Sequence, residues 1–220
     1  MSIEYTVSKQ NKIRQLRENA AYDQETVHEI LDAGLVAHVA FVQDGAPVVV
    51  PMLYGREGET LYLHGARKAR VIRLLEETGT ACVNVTLLDG LVFARSAFAS
   101  SMNYRSVTVY GRARLVEDWE DNKHALHFIA ECTMPGRWAE VRESHEKEVK
   151  MTGVITLEIE SASAKISSGL PDDEAEDYDI PIWAGVLPVT TVVGSKIDDD
   201  RLLPDVAASE IVLAMQNRTL

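Results

Sequence analysis

Residues 35–70 read LVAHVAFVQDGAPVVVPMLYGREGETLYLHGARKAR, and this stretch decides the fold. An apolar run from Leu35 to Val42 ends at Asp44-Gly45, the strongest short hairpin signal in the chain. Pro47 to Tyr54 reads as the returning strand, Gly55 to Glu59 as the next turn, and Thr60 to His64 as a third, alternating strand. Gly65 and three cations, Arg67, Lys68 and Arg70, follow. The spacing predicts a helix from Ala66 to about Thr78, with Val71, Leu74 and Leu75 facing the core and Gly79 as its stop. Cations in a first helical turn oppose the helix macrodipole. Free backbone N–H groups and side-chain cations converging there make an anion site, and a phosphate is its natural occupant. A solvated basic helix face is the alternative.

Working outward, Asp23 caps a short helix over residues 23–33 that turns Val27, Ile30 and Leu31 inward and stops at Gly34. Thr80 to Leu87 alternates as a strand, Asp89-Gly90 reads as a turn, and Leu91 to Ala97 continues beyond it. Tyr104 to Val116 is a long strand in which Gly111 marks a bulge or a close approach. Asp118 opens a helix carrying Leu126, Ile129 and Ala130. Val154 to Ile159 is a sixth strand, residues 171–179 form an acidic loop, and a last helix runs from Asp205 to about Gln216. Hairpin-linked strands interrupted by helices imply a mainly β chain: a closed antiparallel barrel with flanking helices. No linker separates domains, so residues 1–220 are expected to form one, with 195–220 a loosely tethered helix.

The chain has 220 residues, 46% of them hydrophobic, and a net charge of −12. That charge argues against a nucleic-acid partner. No apolar run is long enough to span a membrane, and the first residues lack the apolar core of a signal peptide. Two cysteines, Cys82 and Cys132, make no disulfide framework. A cytoplasmic protein with free thiols is expected. Residues 60–75 and 90–116 contain no Asp or Glu but hold Arg67, Lys68, Arg70, Arg73, Arg95, Arg105, Arg112 and Arg114. An acidic chain with two such segments should focus positive potential in one place, which suits a small anionic ligand.

Other groups are weaker candidates. His124 and His127 share a helix face with Cys132 past its end, but no further ligand has standard spacing, so no metal site is expected. His38, on an apolar strand, reads as a core or interface histidine. Cys82 reads as a buried, inert thiol. His64, beside the basic turn, is open to either phosphate or substrate contact or a structural role.

Five motifs in this order resemble the pyridoxamine 5′-phosphate oxidase-like flavoproteins, and more narrowly their flavin-nucleotide-binding, nitroimidazole-resistance-like branch. They are Asp44-Gly45-x-Pro47, His64-Gly65-x-Arg67-Lys68-x-Arg70, Asp89-Gly90-Leu91-Val92, Asn103-Tyr104-Arg105-Ser106-Val107 and Trp183-Ala184-Gly185-Val186-x-Pro188. The resemblance implies an antiparallel split β-barrel of the Greek-key, FMN-binding type. It implies a homodimer with FMN at the subunit interface. Arg67 and Lys68 match the pair that grips the FMN phosphate, with His64, Gly65 and Arg70 beside them. Val50, Pro51, Met52, Leu53 and Tyr54 match the strand along the flavin ring, where backbone groups make the contacts. Ser106 stands where the oxidases have a glutamine, with Tyr104 and Arg105 next to it. Trp183 matches an aromatic that approaches the partner's flavin.

Two departures stand out. Ala66 replaces a phosphate-binding serine, and no Arg-x-His-type signature follows Trp183. The implied activity is therefore an FMN-dependent oxidoreductase acting on a small molecule other than pyridoxamine phosphate, with NAD(P)H as a candidate electron donor. The alternatives are a non-catalytic flavin-binding protein for storage or sensing, and a haem-binding split barrel.

Overall fold

Asp44 and Gly45 both have positive φ, 51° and 78°. That is the geometry of a tight two-residue hairpin whose twist matches its strands. In the computed structural model, which describes residues 3–220, they join β2 (Val36–Gln43) to β3 (Ala46–Glu57), with Gln43 opposite Ala46. β3 runs through the expected turn at Gly55. This glycine is a packing position: a Cβ there would lie 3.0 Å from Phe128 Cδ1 and 3.2 Å from Cys132 Sγ. The turn comes at Gly58, and β4 (Thr60–Ala66) returns.

The remaining strands are β1 (Ala20–Ala21), β5 (Thr80–Phe93), β6 (Ser101–Leu115), β7 (Thr152–Ser167) and β8 (Gly185–Pro188). They form an eight-stranded antiparallel sheet ordered β1-β7-β4-β3-β2-β5-β6. The extra β6–β7 pairing closes it into a barrel, with β1 added to β7 and β8 to β5. Gly111 is indispensable to that closure. The register shifts between Tyr110 and Gly111, where a Cβ would meet the Glu158 carbonyl oxygen at 2.0 Å.

Asp89-Gly90 is a bulge within β5 and not the expected turn. The cause is β8, which pairs Pro188 with Gly90 and leaves only 2.9 Å between a Cβ there and Val186 Cγ1. The barrel interior is apolar. Val39, Leu61, Leu63, Val83, Val109, Ile155 and Leu157 are among its fully buried side chains, each worth about 1.5–3 kcal/mol on burial.

α1 (Gln24–Ala33) follows expectation: Asp23 accepts the Thr26 N–H at 2.9 Å, and Val27, Ile30 and Leu31 are buried. α2 (Arg70–Thr78) starts later than expected, because Ala66 still belongs to β4. It buries Ile72 and Leu75, leaves Val71 and Leu74 partly exposed, and ends at Gly79 with φ 65°. α3 (Trp119–Thr133) is capped by Asp118 and packs across β3; Cys132 lies inside it. α4 (Glu146–Met151) leads directly into β7. α5 (Glu210–Met215) is shorter than expected, since Asp205 has φ 66° and Ser209 supplies the cap.

The end of the chain is pinned rather than loose. Asn217 N–H donates to Val193 O at 2.8 Å, and Ser209 Oγ to Glu140 at 2.7 Å. No described helix is long and apolar enough to cross a membrane.

Candidate functional site

The expected focus of eight cations is narrower in the folded chain. Arg67 pairs with Glu76 at 3.2 Å, Arg95 with Asp173 at 2.9 Å, Arg105 with Asp89 at 2.7 Å, and Arg112 with Glu158 and Glu160 at 3.1 and 2.8 Å. Lys68, Arg70, Arg73 and, on β6, Arg114 have no acidic partner among the described residues. The first three lie together at the turn after β4 and in the first turn of α2. There Ala69, the cap position, offers no side-chain acceptor. The first-turn N–H groups therefore lack a side-chain cap, and no carboxylate precedes them to balance the dipole. The turn itself is held by Arg67 N–H on Met151 O at 2.8 Å and Ala69 N–H on Ala66 O at 2.7 Å. Uncapped N–H groups beside cations without carboxylates suit this turn to an anion.

Before that turn, on the outer face of β4, stands His64, opposite Val154 of β7. Its Nδ1 is buried and has no hydrogen-bond partner. Burial pushes its pKa below the ordinary histidine value, so the ring is neutral. It lines a cavity of about 270 Å³ with Leu53 of β3, Leu126, Ile129 and Ala130 of α3, Trp138 and Val149. The lining is mostly apolar, while Thr133, Ser144, Glu148 and Thr152 bring polar groups to it. An unpaired imidazole in an apolar, partly open cavity can bind a metal centre or a planar ring.

The family profile of pyridoxamine 5′-phosphate oxidase matches residues 23–166. The chain belongs to this family. Two solved structures share nearly its whole length. The flavocytochrome Anf3 of Azotobacter vinelandii is 41% identical, with a TM-score of 0.89 over 95% of this chain and 97% of that one. An FAD- and haem-binding protein of Mycobacterium smegmatis is 37% identical, with a TM-score of 0.85 over 90% and 98%. A candidate 5-nitroimidazole antibiotic resistance protein of Bacteroides thetaiotaomicron is 25% identical, with a TM-score of 0.57 over 67% and 86%. No curated protein matches it significantly. The split barrel expected from the five motifs is thus the fold of the chain and of its relatives.

This member of the oxidase family gathers only part of the expected site within one chain. Leu53 and His64 share the cavity; Gly65 lies against Ile72 and Met52. Met52 and Tyr54 point into the core, where the Tyr54 hydroxyl donates to Leu31 O. Val50 is half-buried and Pro51 exposed on the same strand. Tyr104, Arg105 and Ser106 lie elsewhere: Ser106 pairs with Lys165, eleven residues along β7 from His64's partner Val154. At about 3.3 Å per residue, that is roughly 36 Å of strand. Arg105 is held by Asp89 through two hydrogen bonds. Trp183 is 65% exposed, so it plugs no core; it rests on Phe93 and over Gly185.

The remaining candidates resolve individually. His38 is exposed on β2 and so is no core residue. Cys82 is half-buried rather than buried, and burial raises its thiol pKa. His124 sits 3.0 Å from Glu57, and the His127 ring lies tilted against Trp138, centroids 5.2 Å apart. Among the described residues no three His, Cys, Asp or Glu side chains converge as a metal set. Sequence reasoning missed the α3 side of the cavity and the clamp of Arg95 on Asp173. Neither carries a local motif.

Proposed function

We propose that this chain is a flavin-dependent oxidoreductase that works as a homodimer and carries a haem beside the flavin. The observation that carries the flavin reading is the run of unpaired cations, Lys68, Arg70 and Arg73, at the uncapped start of α2. It fits the phosphate of an FMN moiety, with Arg67 adding a guanidinium fork once exchanged from Glu76. The β3 backbone from Val50 to Tyr54 would then lie along the ring. The separation of Tyr104, Arg105, Ser106 and Trp183 from the phosphate turn supports a site completed by a second copy. The exposed apolar side chains Leu88, Leu91, Phe93, Met102 and Leu187 on β5, β6 and β8 support an interface there.

The haem reading rests on His64. His64 lines a mostly apolar cavity with a neutral imidazole and would hold a haem iron there, and two relatives of nearly equal length are named for haem or as a flavocytochrome. When bound, the two groups supply hydride and single-electron chemistry. The chain's residues do the rest. The basic turn would hold the phosphate, α3 and Trp138 line the cavity with apolar surface, and burial keeps His64 neutral and able to ligate.

An absorption spectrum of the purified, reconstituted protein tests this directly. Flavin bands together with a Soret band, the latter lost in His64→Ala while flavin binding persists, support the reading. A protein that takes up neither group overturns it. Flavin binding without NAD(P)H turnover would leave a storage or sensing protein.

A further inference from the structure

α5 packs against the turn that follows α3. Gly136 in that turn has φ 80°, and a Cβ there would lie 2.9 Å from Ile211 Cδ1. Between this turn, α5 and the segment from Val193 to Lys196 lies a cavity of about 230 Å³. Met134, Ile211, Val212 and Met215 give it apolar walls, and Arg137, Lys196 and Gln216 supply polar groups. It is a little smaller than the pockets of drug-sized ligands, about 300–1,000 Å³, so its occupant is compact. Met134 also lines the His64 cavity, which makes the two spaces neighbours across one side chain.

The polar groups favour an uncharged ligand that accepts a hydrogen bond. Arg137 is paired with Glu140 at 2.8 Å and Lys196 with Asp198 at 2.6 Å, so neither cation offers an unbalanced charge to an anion. Gln216 Oε1 accepts the Lys196 backbone N–H at 2.9 Å. Only the oxygen can do so, which fixes the amide and leaves its NH2 as a donor without a partner among the described residues. The thioethers of Met134 and Met215 make favourable contacts with aromatic rings and adapt to their shape.

We propose that this cavity binds the electron acceptor of the oxidoreductase, and that the acceptor is a compact, uncharged quinone of two fused rings. The inference rests on the flavin reading above and adds the acceptor's class and place. One quinone carbonyl accepts from the Gln216 amide, and the rings lie between the methionines. A reduced nicotinamide supplies two electrons and one proton, and solvent supplies the second proton. Both C=O groups of the quinone become C–OH, and the nicotinamide is oxidised.

The test is calorimetric titration of the full-length protein with 2-methyl-1,4-naphthoquinone, with and without flavin. One quinone per chain is expected to bind in both forms. Gln216→Glu keeps an acceptor for the Lys196 N–H but removes the donor, and should weaken the quinone about tenfold. Gly194 lines the cavity, and a Cβ there meets nothing within 4 Å, so Gly194→Trp has room to occlude the space without strain. It should weaken the quinone at least about tenfold while moving flavin affinity by less than about twofold. In the flavin-loaded protein, stopped-flow reoxidation of the reduced flavin by the quinone should slow in proportion. No quinone binding to the unmodified protein, or binding that neither variant moves, overturns the inference and leaves the flavin reading standing. Tighter binding of 1-naphthoate than of the quinone would give the cavity to a carboxylate and also overturn it. A protein that binds the quinone but takes up no flavin overturns the flavin reading and, with it, the acceptor role.

Discussion

The Asp173 carboxylate, whose side chain is 0% exposed, accepts two hydrogen bonds from Arg95: the backbone N–H at 2.8 Å and the guanidinium at 2.9 Å. The same guanidinium lies over the Tyr178 ring, 4.9 Å from its centroid. The acidic loop is thereby tied to the β5–β6 connection, and Trp183 follows five residues after Tyr178. Removing one partner of a buried pair leaves the other charge desolvated. Asp173→Ala is expected to cost about 3 kcal/mol, the low end of the range for such pairs because Arg95 keeps some contact with water. Urea denaturation reads this out, and a loss below about 1 kcal/mol would place the pair among ordinary surface contacts.

Arg67→Ala combined with Lys68→Ala is expected to weaken FMN far more than riboflavin. Charge-assisted contacts to a phosphate contribute about 1.5–3 kcal/mol each. Riboflavin has no phosphate, so its affinity should barely move. Equal losses for both ligands would mean that the pair acts on folding or on the ring.

How much of this was legible beforehand depends on where each decision is made. α1 was legible in full because Asp23, the inward spacing of Val27, Ile30 and Leu31, and Gly34 are all local. Asp44-Gly45 behaved as its dipeptide predicts. Asp89-Gly90, chemically the same pair, did not, because β8 approaches it from nearly a hundred residues downstream. The turn expected at Gly55 is absent for the same reason: α3 requires that residue to be small. The motif at 64–70 marks the turn where Lys68, Arg70 and Arg73 gather, but only tertiary pairing shows that Arg95, Arg105 and Arg112 are neutralised elsewhere. The cavity beside His64 depends on α3, Trp138 and Val149, a stretch without any sequence motif.

A homodimer is expected at micromolar concentration. Leu88, Leu91, Phe93, Met102 and Leu187 form an exposed apolar face on neighbouring strands, larger in character than scattered surface residues. A two-fold interface would cover it on both copies and bring Trp183 to the partner's site. Light scattering should give twice the chain mass, and Leu187→Asp should shift the equilibrium toward monomer. A monomer in the unmodified protein contradicts the shared site.

His64 predicts a slope in the pH dependence of stability. Its pKa is lowered in the folded state by desolvation. The unfolded chain therefore takes up a proton near pH 6.5 that the folded chain resists. Stability is full above that value, falls as pH drops below it, and levels off only beneath the folded pKa. His64→Phe should remove this part of the slope between about pH 5 and pH 7. Denaturation midpoints across that range decide it; unchanged slopes would mean that His64 is protonated as readily folded as unfolded.

The last expectation concerns the substrate. A phosphorylated substrate on the open face of the proposed flavin needs cations there, and most of those this chain could offer are engaged; Arg114 lies beside Tyr62 and His124, on the α3 side of the sheet. Arg105 is held by Asp89, and Arg112 by Glu158 and Glu160. Lys68, Arg70 and Arg73 gather at the start of α2, where the proposed flavin phosphate would sit. Downstream of Trp183, where the oxidases proper carry an Arg-x-His-type signature, β8 ends at Pro188, and Lys196 is paired with Asp198 at 2.6 Å. Asp199 and Asp200 add negative charge beyond it. Such a surface favours uncharged or cationic, electron-poor acceptors, so nitroaromatics or quinones should be reduced at the expense of NAD(P)H. Pyridoxamine and pyridoxine phosphate should not be oxidised at a useful rate. An oxygen-electrode and peroxide assay of the flavin-loaded protein separates the outcomes: sustained peroxide production from pyridoxamine phosphate would show that another cation reaches the open face once the dimer is assembled.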